Sequence, residues 1–136
     1  MSATDAQAPG ESSRPGPVVL IVDDEATART LLRKVVQTAY PTAQINEAAD
    51  GETALRLART ARPDLVLLDI VLPGSDTSGV LLCQELTKAM IPVLIVSGNA
   101  TGPIAQACLS LGAADILRKP FTIEDAQAKI KSCMGG

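Results

Sequence analysis

Polar side chains close four aliphatic stretches of this chain. Val18-Val19-Leu20-Ile21-Val22 runs into Asp23-Asp24-Glu25, and Leu65-Val66-Leu67-Leu68 runs into Asp69. Val93-Leu94-Ile95-Val96 runs into Ser97, and Ala114 to Leu117 is followed by Arg118-Lys119-Pro120. Taken singly, each has a plain structural account. Asp23 and Asp24 could cap a helix, Asp69 could start a turn, Ser97 could be a loop residue and Lys119 a solvated lysine. Taken together they suggest chemistry. Carboxylates gathered at one place repel each other and are driven towards protonation unless a cation joins them. A hard divalent ion such as Mg²⁺ suits one or two carboxylates completed by water and a phosphate oxygen. A carboxylate nucleophile beside such an ion, with an ammonium and a hydroxyl for the moving phosphoryl group, can form an aspartyl phosphate.

Gathering them requires an open parallel sheet. A continuous apolar run bounded by Pro63 and Pro73, interrupted by one carboxylate, suits a strand covered on both faces and ending at Asp69. After the first strand, Thr27, Ala28, Leu31, Leu32, Val35, Val36 and Ala39 recur at helical spacing and predict a helix ending before Pro41. Ala43 to Ala48 reads as a weaker, peripheral strand, and Asp50 as the cap of a helix through Arg59. A loop over 72–78 precedes a third helix carrying Val80, Leu81, Leu82 and Leu86. Ile104, Ala107, Cys108 and Leu111 mark a fourth helix stopped by Gly112. Thr122-Ile123-Glu124-Asp125 opens a fifth, continued by Ala126 and Ile130. Five strands alternating with five helices predict an α/β fold with a doubly wound parallel sheet. If the strand order is 2-1-3-4-5, Asp23, Asp24 and Asp69 converge at the switch point between the first and third strands.

Composition narrows the function. The 136 residues suffice for one domain with an ordinary core, and the hydrophobic fraction of 46% beside 20% charged residues is that of a globular protein. Phe121 and Tyr40 are the only aromatics, so aliphatic side chains must fill the core. A net charge of -3 without a basic run lacks the electrostatic footprint of nucleic-acid binding. No apolar stretch approaches the roughly 20 residues of a membrane span, and residues 1–17 read as a flexible leader to a domain over 18–134. Cys83, Cys108 and Cys133 stand far apart and read as free thiols of a reducing, cytoplasmic setting. There is no histidine. The chain could accept a phosphoryl group but could not carry one on His.

The ordered set Val22-Asp23-Asp24-Glu25, Ala49-Asp50-Gly51, Pro63-Asp64-Leu65-Val66-Leu67-Leu68-Asp69, Leu72-Pro73-Gly74, Ser97-Gly98 and Lys119-Pro120-Phe121 resembles the response-regulator receiver domains of two-component signalling, from Val18 to about Cys133. The resemblance implies a CheY-like, flavodoxin-like fold with Asp69 as phosphoacceptor. It implies Asp24 as a direct Mg²⁺ ligand, Asp23 as one acting largely through water, and the Val71 carbonyl as another ligand. Ser97 and Lys119 would grip phosphoryl oxygens, and the Lys119–Pro120 bond would be cis. The phosphodonor would be a histidine kinase or a histidine phosphotransfer protein. Three departures accompany it. Ile116 stands where the family has an aromatic switch residue, and it offers neither a ring nor a hydroxyl for coupling to Ser97. The stretch 74–79 is about two residues longer than usual. Val71 and Asn99 occupy places that tune access of attacking water, and apolar Val71 predicts a phosphoryl group that is not especially short-lived.

The function expected is a phosphorylation-switched binding module without an output domain, free-standing or relaying the phosphoryl group. Alternatives are a phosphorylation-independent scaffold, or the receiver of a larger transcriptional regulator or hybrid kinase. An aspartate-nucleophile phosphohydrolase fits poorly. Such enzymes place a second acid two residues after a nucleophile on the first strand, whereas Asp69 is on the third and Val71 holds that place.

Overall fold

The computed structural model describes residues 16–70 and 78–134. The strands are β1 (Val18–Val22), β2 (Gln44–Ala48), β3 (Leu65–Asp69), β4 (Val93–Ser97) and β5 (Asp115–Arg118). The helices are α1 (Ala26–Ala39), α2 (Gly51–Thr60), α3 (Ser78–Lys88), α4 (Pro103–Leu111) and α5 (Ile123–Cys133). The sheet is wholly parallel in the order β2-β1-β3-β4-β5, that is 2-1-3-4-5. Its reversal falls between β1 and β3, where Val22 pairs with Leu68.

Alternation along each strand divides the core into two layers. Leu20, Val22, Val66, Leu68, Val93 and Ile95 pack with residues of α2, α3 and α4. Val19, Ile21, Leu65, Leu67, Leu94 and Val96 pack with α1 and α5. The three central strands are therefore buried on both faces, which explains their uninterrupted aliphatic sequence. The edge strand β2 has intermediate exposure at Ile45, Asn46 and Glu47, in keeping with its weaker pattern.

Helix ends follow the expected chemistry. Asp50 accepts the Thr53 N–H at 2.8 Å as the cap of α2, and Thr122 accepts the Asp125 N–H at 3.0 Å as the cap of α5. Gly112 ends α4 at φ 115°, with Gly112 N–H donating to Leu109 and Ala113 N–H donating to Cys108. The same closure ends α3 without a glycine. Ile91 N–H donates to the Leu86 carbonyl and Met90 N–H to that of Thr87, leaving Met90 at φ 62° and 83% exposed. An L-residue in that conformation costs roughly 1–2 kcal/mol, partly offset by the unfolded-state entropy a glycine adds. Met90→Gly is therefore expected to stabilise the protein by about 0.5 kcal/mol, and Gly112→Ala to destabilise it by about 1 kcal/mol, in urea unfolding followed by circular dichroism. Left-handed strain at both helix ends would be contradicted if the two substitutions moved the midpoint the same way.

Some details depart from expectation. β5 runs one residue later than anticipated, and Leu31, Leu81, Leu111 and Ile123, placed by spacing on helix faces, are largely exposed. Each lies at the margin of its apolar stripe, so the helix turns it outward while Leu32, Leu82, Cys108 and Ala126 reach the core. The loop expected over 72–78 falls mainly outside the described residues, as does most of the leader.

Candidate functional site

The strand register places the acidic residues before any side-chain detail is considered. Asp23 follows β1 directly and Asp69 is the last residue of its neighbour β3, so both stand at the carboxyl edge beside the switch point. A cleft of about 290 Å³ opens there, lined by Asp23, Asp24 and Asp69 together with Ala49, Asp50, Gly51 and Gly79. Two of its carboxylates are deeply set. Asp23 is 2% exposed and the Asp69 side chain 5%, whereas Asp24 is exposed at the rim.

Asp23 is held from three directions. Its N–H donates to the Ala48 carbonyl at 3.0 Å, its Oδ1 accepts the Glu25 N–H at 2.9 Å, and its carbonyl accepts from Arg29 Nη1 at 2.6 Å. Its Oδ2 is buried without a hydrogen-bond partner. Lys119, directly after β5, brings Nζ to 2.8 Å from Asp69 Oδ1. That short, charge-assisted contact partners Asp69 Oδ1 and leaves Asp23 Oδ2 as the buried carboxylate oxygen without a partner. Burial raises the Asp69 carboxyl from its ordinary range to about 6; Lys119 opposes the shift and the Asp23 charge adds to it. Near neutral pH Asp69 is thus mainly an anion, held in an environment that disfavours the charge.

The unpartnered Asp23 Oδ2 and the neighbouring Asp69 carboxylate fit a hard cation. Among the described residues no three acidic or Cys side chains converge closely enough to ligate one ion directly. The donor set is therefore one or two carboxylates with room for water, the arrangement Mg²⁺ accepts. Val71, whose carbonyl was expected to contribute, lies outside the described residues.

The remaining expected residues are nearby but differently engaged. Ser97 ends β4 and its carbonyl accepts the Lys119 N–H at 2.8 Å, which ties the ends of β4 and β5 together. The residue is 1% exposed, and its Oγ accepts the Asn99 N–H at 3.0 Å instead of lining the acidic cleft. The Lys119–Pro120 bond is cis, as anticipated. Ile116 pairs with Ile95 and packs, half-buried, against the core layer containing α4. Arg29 was not singled out by sequence. The available signal was its position one helical turn after Glu25, which lets its guanidinium fold back over the loop where α1 begins.

Comparisons with known proteins agree with this geometry. A family model described as the response regulator receiver domain matches residues 19–131. Over 119 residues the chain is 35% identical to the alkaline phosphatase synthesis transcriptional regulatory protein PhoP of Bacillus subtilis, covering 85% of this chain and 48% of that one. It is 37% identical over 110 residues to protein-glutamate methylesterase/protein-glutamine glutaminase 2 of Anaeromyxobacter dehalogenans, covering 79% of this chain and 31% of the relative. The chain thus spans about half or less of the length of these curated relatives. The solved receiver domain of NtrX from Brucella abortus is 30% identical with a TM-score of 0.74, covering 86% and 98% of the two chains. The chemotaxis response regulator CheY4 of Vibrio cholerae is 26% identical with a TM-score of 0.73, covering 86% and 98%. With its strand order, its acidic edge and nearly its whole folded length accounted for, the chain belongs to the response regulator receiver domain family.

Proposed function

We propose that Asp69 accepts a phosphoryl group from a phosphohistidine, and that the modified domain binds a partner protein through a face its phosphorylation alters. The observation that carries this reading is the buried Asp69 carboxylate, facing a cleft with two further aspartates and paired with Lys119. An Asp69 oxygen forms a bond to phosphorus as the bond from phosphorus to the donor's imidazole nitrogen breaks. The imidazole leaves with the bonding electron pair and takes up a proton. Lys119 is then placed to neutralise a phosphoryl oxygen, since its ammonium already lies against the accepting carboxylate. Asp24 would hold Mg²⁺ directly with Asp69, and Asp23 through water, with the Val71 carbonyl completing the set. When bound, Mg²⁺ would neutralise charge on the transferring group.

Ser97, which accepts the Asn99 N–H, would donate its O–H to a phosphoryl oxygen, and Ile116 would respond by repacking against the layer containing α4. The reading is of a switch and not of an enzyme acting on other substrates. A histidine kinase or phosphotransfer protein would be the donor, which would place the domain in the cytoplasm. No described helix is long and apolar enough to cross a membrane. The phosphorylation-independent scaffold is favoured only by aliphatic Ile116 at the place of the family's aromatic switch residue.

Incubation with acetyl phosphate and Mg²⁺, followed by intact-protein mass, tests the central proposal. A gain of one phosphoryl group with Mg²⁺, and none when chelator is present from the start, is expected; a folded protein that gains none with Mg²⁺ would favour the scaffold. Decay of that mass at neutral pH tests the effect of Val71. A half-life of minutes or longer is expected; decay within seconds would contradict it.

A further inference from the structure

The acidic loop is tethered from outside the cleft by a side chain that touches no presumed ligand atom. Arg29 lies on the first turns of α1 with its side chain 19% exposed. Its Nη1 donates to the Asp23 carbonyl at 2.6 Å and its Nε to Glu47 Oε1 at 2.9 Å. Glu47 belongs to the edge strand β2, and its other oxygen accepts Arg33 Nε at 2.7 Å. The guanidinium therefore spans three elements: helix α1, strand β2 and the turn carrying Asp23 and Asp24. Its planar fork suits this, with one N–H for a carboxylate and another for a carbonyl.

The consequence falls on Asp23. With its N–H, its carbonyl and Oδ1 all engaged, Asp23 Oδ2 is left buried, unpartnered and at the cleft. A loop released from Arg29 could turn this oxygen towards solvent, or towards another donor, and so relieve its desolvation. We propose that Arg29, braced by Glu47, is a positioning residue that holds the Asp23-Asp24 loop in the conformation that binds Mg²⁺. The inference rests on the proposed function, because it assigns to that same site the group that presets it.

Charge and position make opposite predictions here. Arg29 is a cation beside an acidic cleft. If its influence were only electrostatic, Arg29→Ala would tighten Mg²⁺ binding by removing a repulsive charge. If it positions the loop, the same substitution weakens binding, by about 10-fold on the scale of other supports behind metal ligands. Arg29→Lys retains a donor for the carbonyl but not the fork to Glu47, and should lose less. Glu47→Gln leaves the loop's own contact in place while loosening the brace, and should also lose less.

Calorimetric titration with Mg²⁺ reads these constants directly, with circular dichroism in chelator to establish folding of each variant. The expected order of affinity is parent, then Arg29→Lys and Glu47→Gln, then Arg29→Ala. Unchanged or tighter binding in folded Arg29→Ala overturns the assignment while leaving the proposed function intact. Should Arg29→Ala fail to fold, unchanged affinity in both milder variants overturns it equally. A parent that binds no Mg²⁺ overturns the proposed function and this inference together.

Discussion

Metal-free Asp69→Asn is expected to be more stable than the parent protein at pH 7.5, although the substitution removes the residue on which the proposed chemistry depends. The parent must bury an anion beside Asp23, and burial accordingly raises the Asp69 carboxyl to about 6 despite Lys119. A carboxyl that is raised on folding binds more protons in the folded than in the unfolded state between its two pKa values. Stability contributed by this group is therefore present below the ordinary carboxyl range, is lost as pH rises through about 6, and is constant above that. The full shift corresponds to about 3 kcal/mol, from which the stranding of Lys119 in the variant must be deducted. A net gain of about 1–2 kcal/mol, or several degrees in thermal midpoint, is expected in chelator at pH 7.5. The advantage should shrink towards pH 4.5. Comparing variant and parent at each pH cancels the carboxylates that favour folding, such as Glu47 and Asp115, both held below their usual range by bonded cations although burial opposes it. Mg²⁺ should then raise the midpoint of the parent and leave Asp69→Asn nearly unmoved. A variant less stable than the parent throughout would mean that the Lys119 pair outweighs the cost of burying Asp69.

Lys119→Met separates ground-state electrostatics from phosphoryl transfer. Lys119 is the only cation in contact with the Asp69 carboxylate among the described residues. Its loss removes a charge that competes with Mg²⁺, so metal affinity should rise severalfold. Phosphorylation by acetyl phosphate should nonetheless slow by about 10²–10³-fold, the usual consequence of deleting one fixed donor that meets charge developing in a transition state. Time-resolved intact mass at saturating Mg²⁺ measures the rate, and calorimetry measures the affinity. Parallel loss of both would indicate a lysine that merely keeps the site folded. An unchanged rate would remove Lys119 from the chemistry.

How much of this was readable from sequence depended on whether a residue's role is set by its own strand or by a neighbour. Aliphatic runs located β1, β3 and β4 because both of their faces are buried, and a polar residue ending such a run must emerge at the sheet's edge. Asp23, Asp24, Asp69 and Ser97 were readable in this way without an alignment, and Lys119 by the same position after the less buried β5. That reading could not tell which way Ser97 Oγ points, because the choice is made by the Asn99 N–H two residues later. Nor could it find Arg29, whose role depends on Glu47 arriving from β2, 18 residues away. Met90 was hidden for another reason: nothing in its identity signals a left-handed helix end, and only the paired closure onto Leu86 and Thr87 reveals it.

The most direct test of the account is the position of the phosphoryl group. Reduction of the acetyl phosphate-treated protein with borohydride would convert an aspartyl phosphate to homoserine, which peptide sequencing by mass can locate. Homoserine is expected at position 69 in the parent, and no converted residue in Asp69→Asn. Conversion at Asp23 or Asp24 instead, or undiminished phosphorylation of the variant, would contradict the assignment of Asp69 as phosphoacceptor.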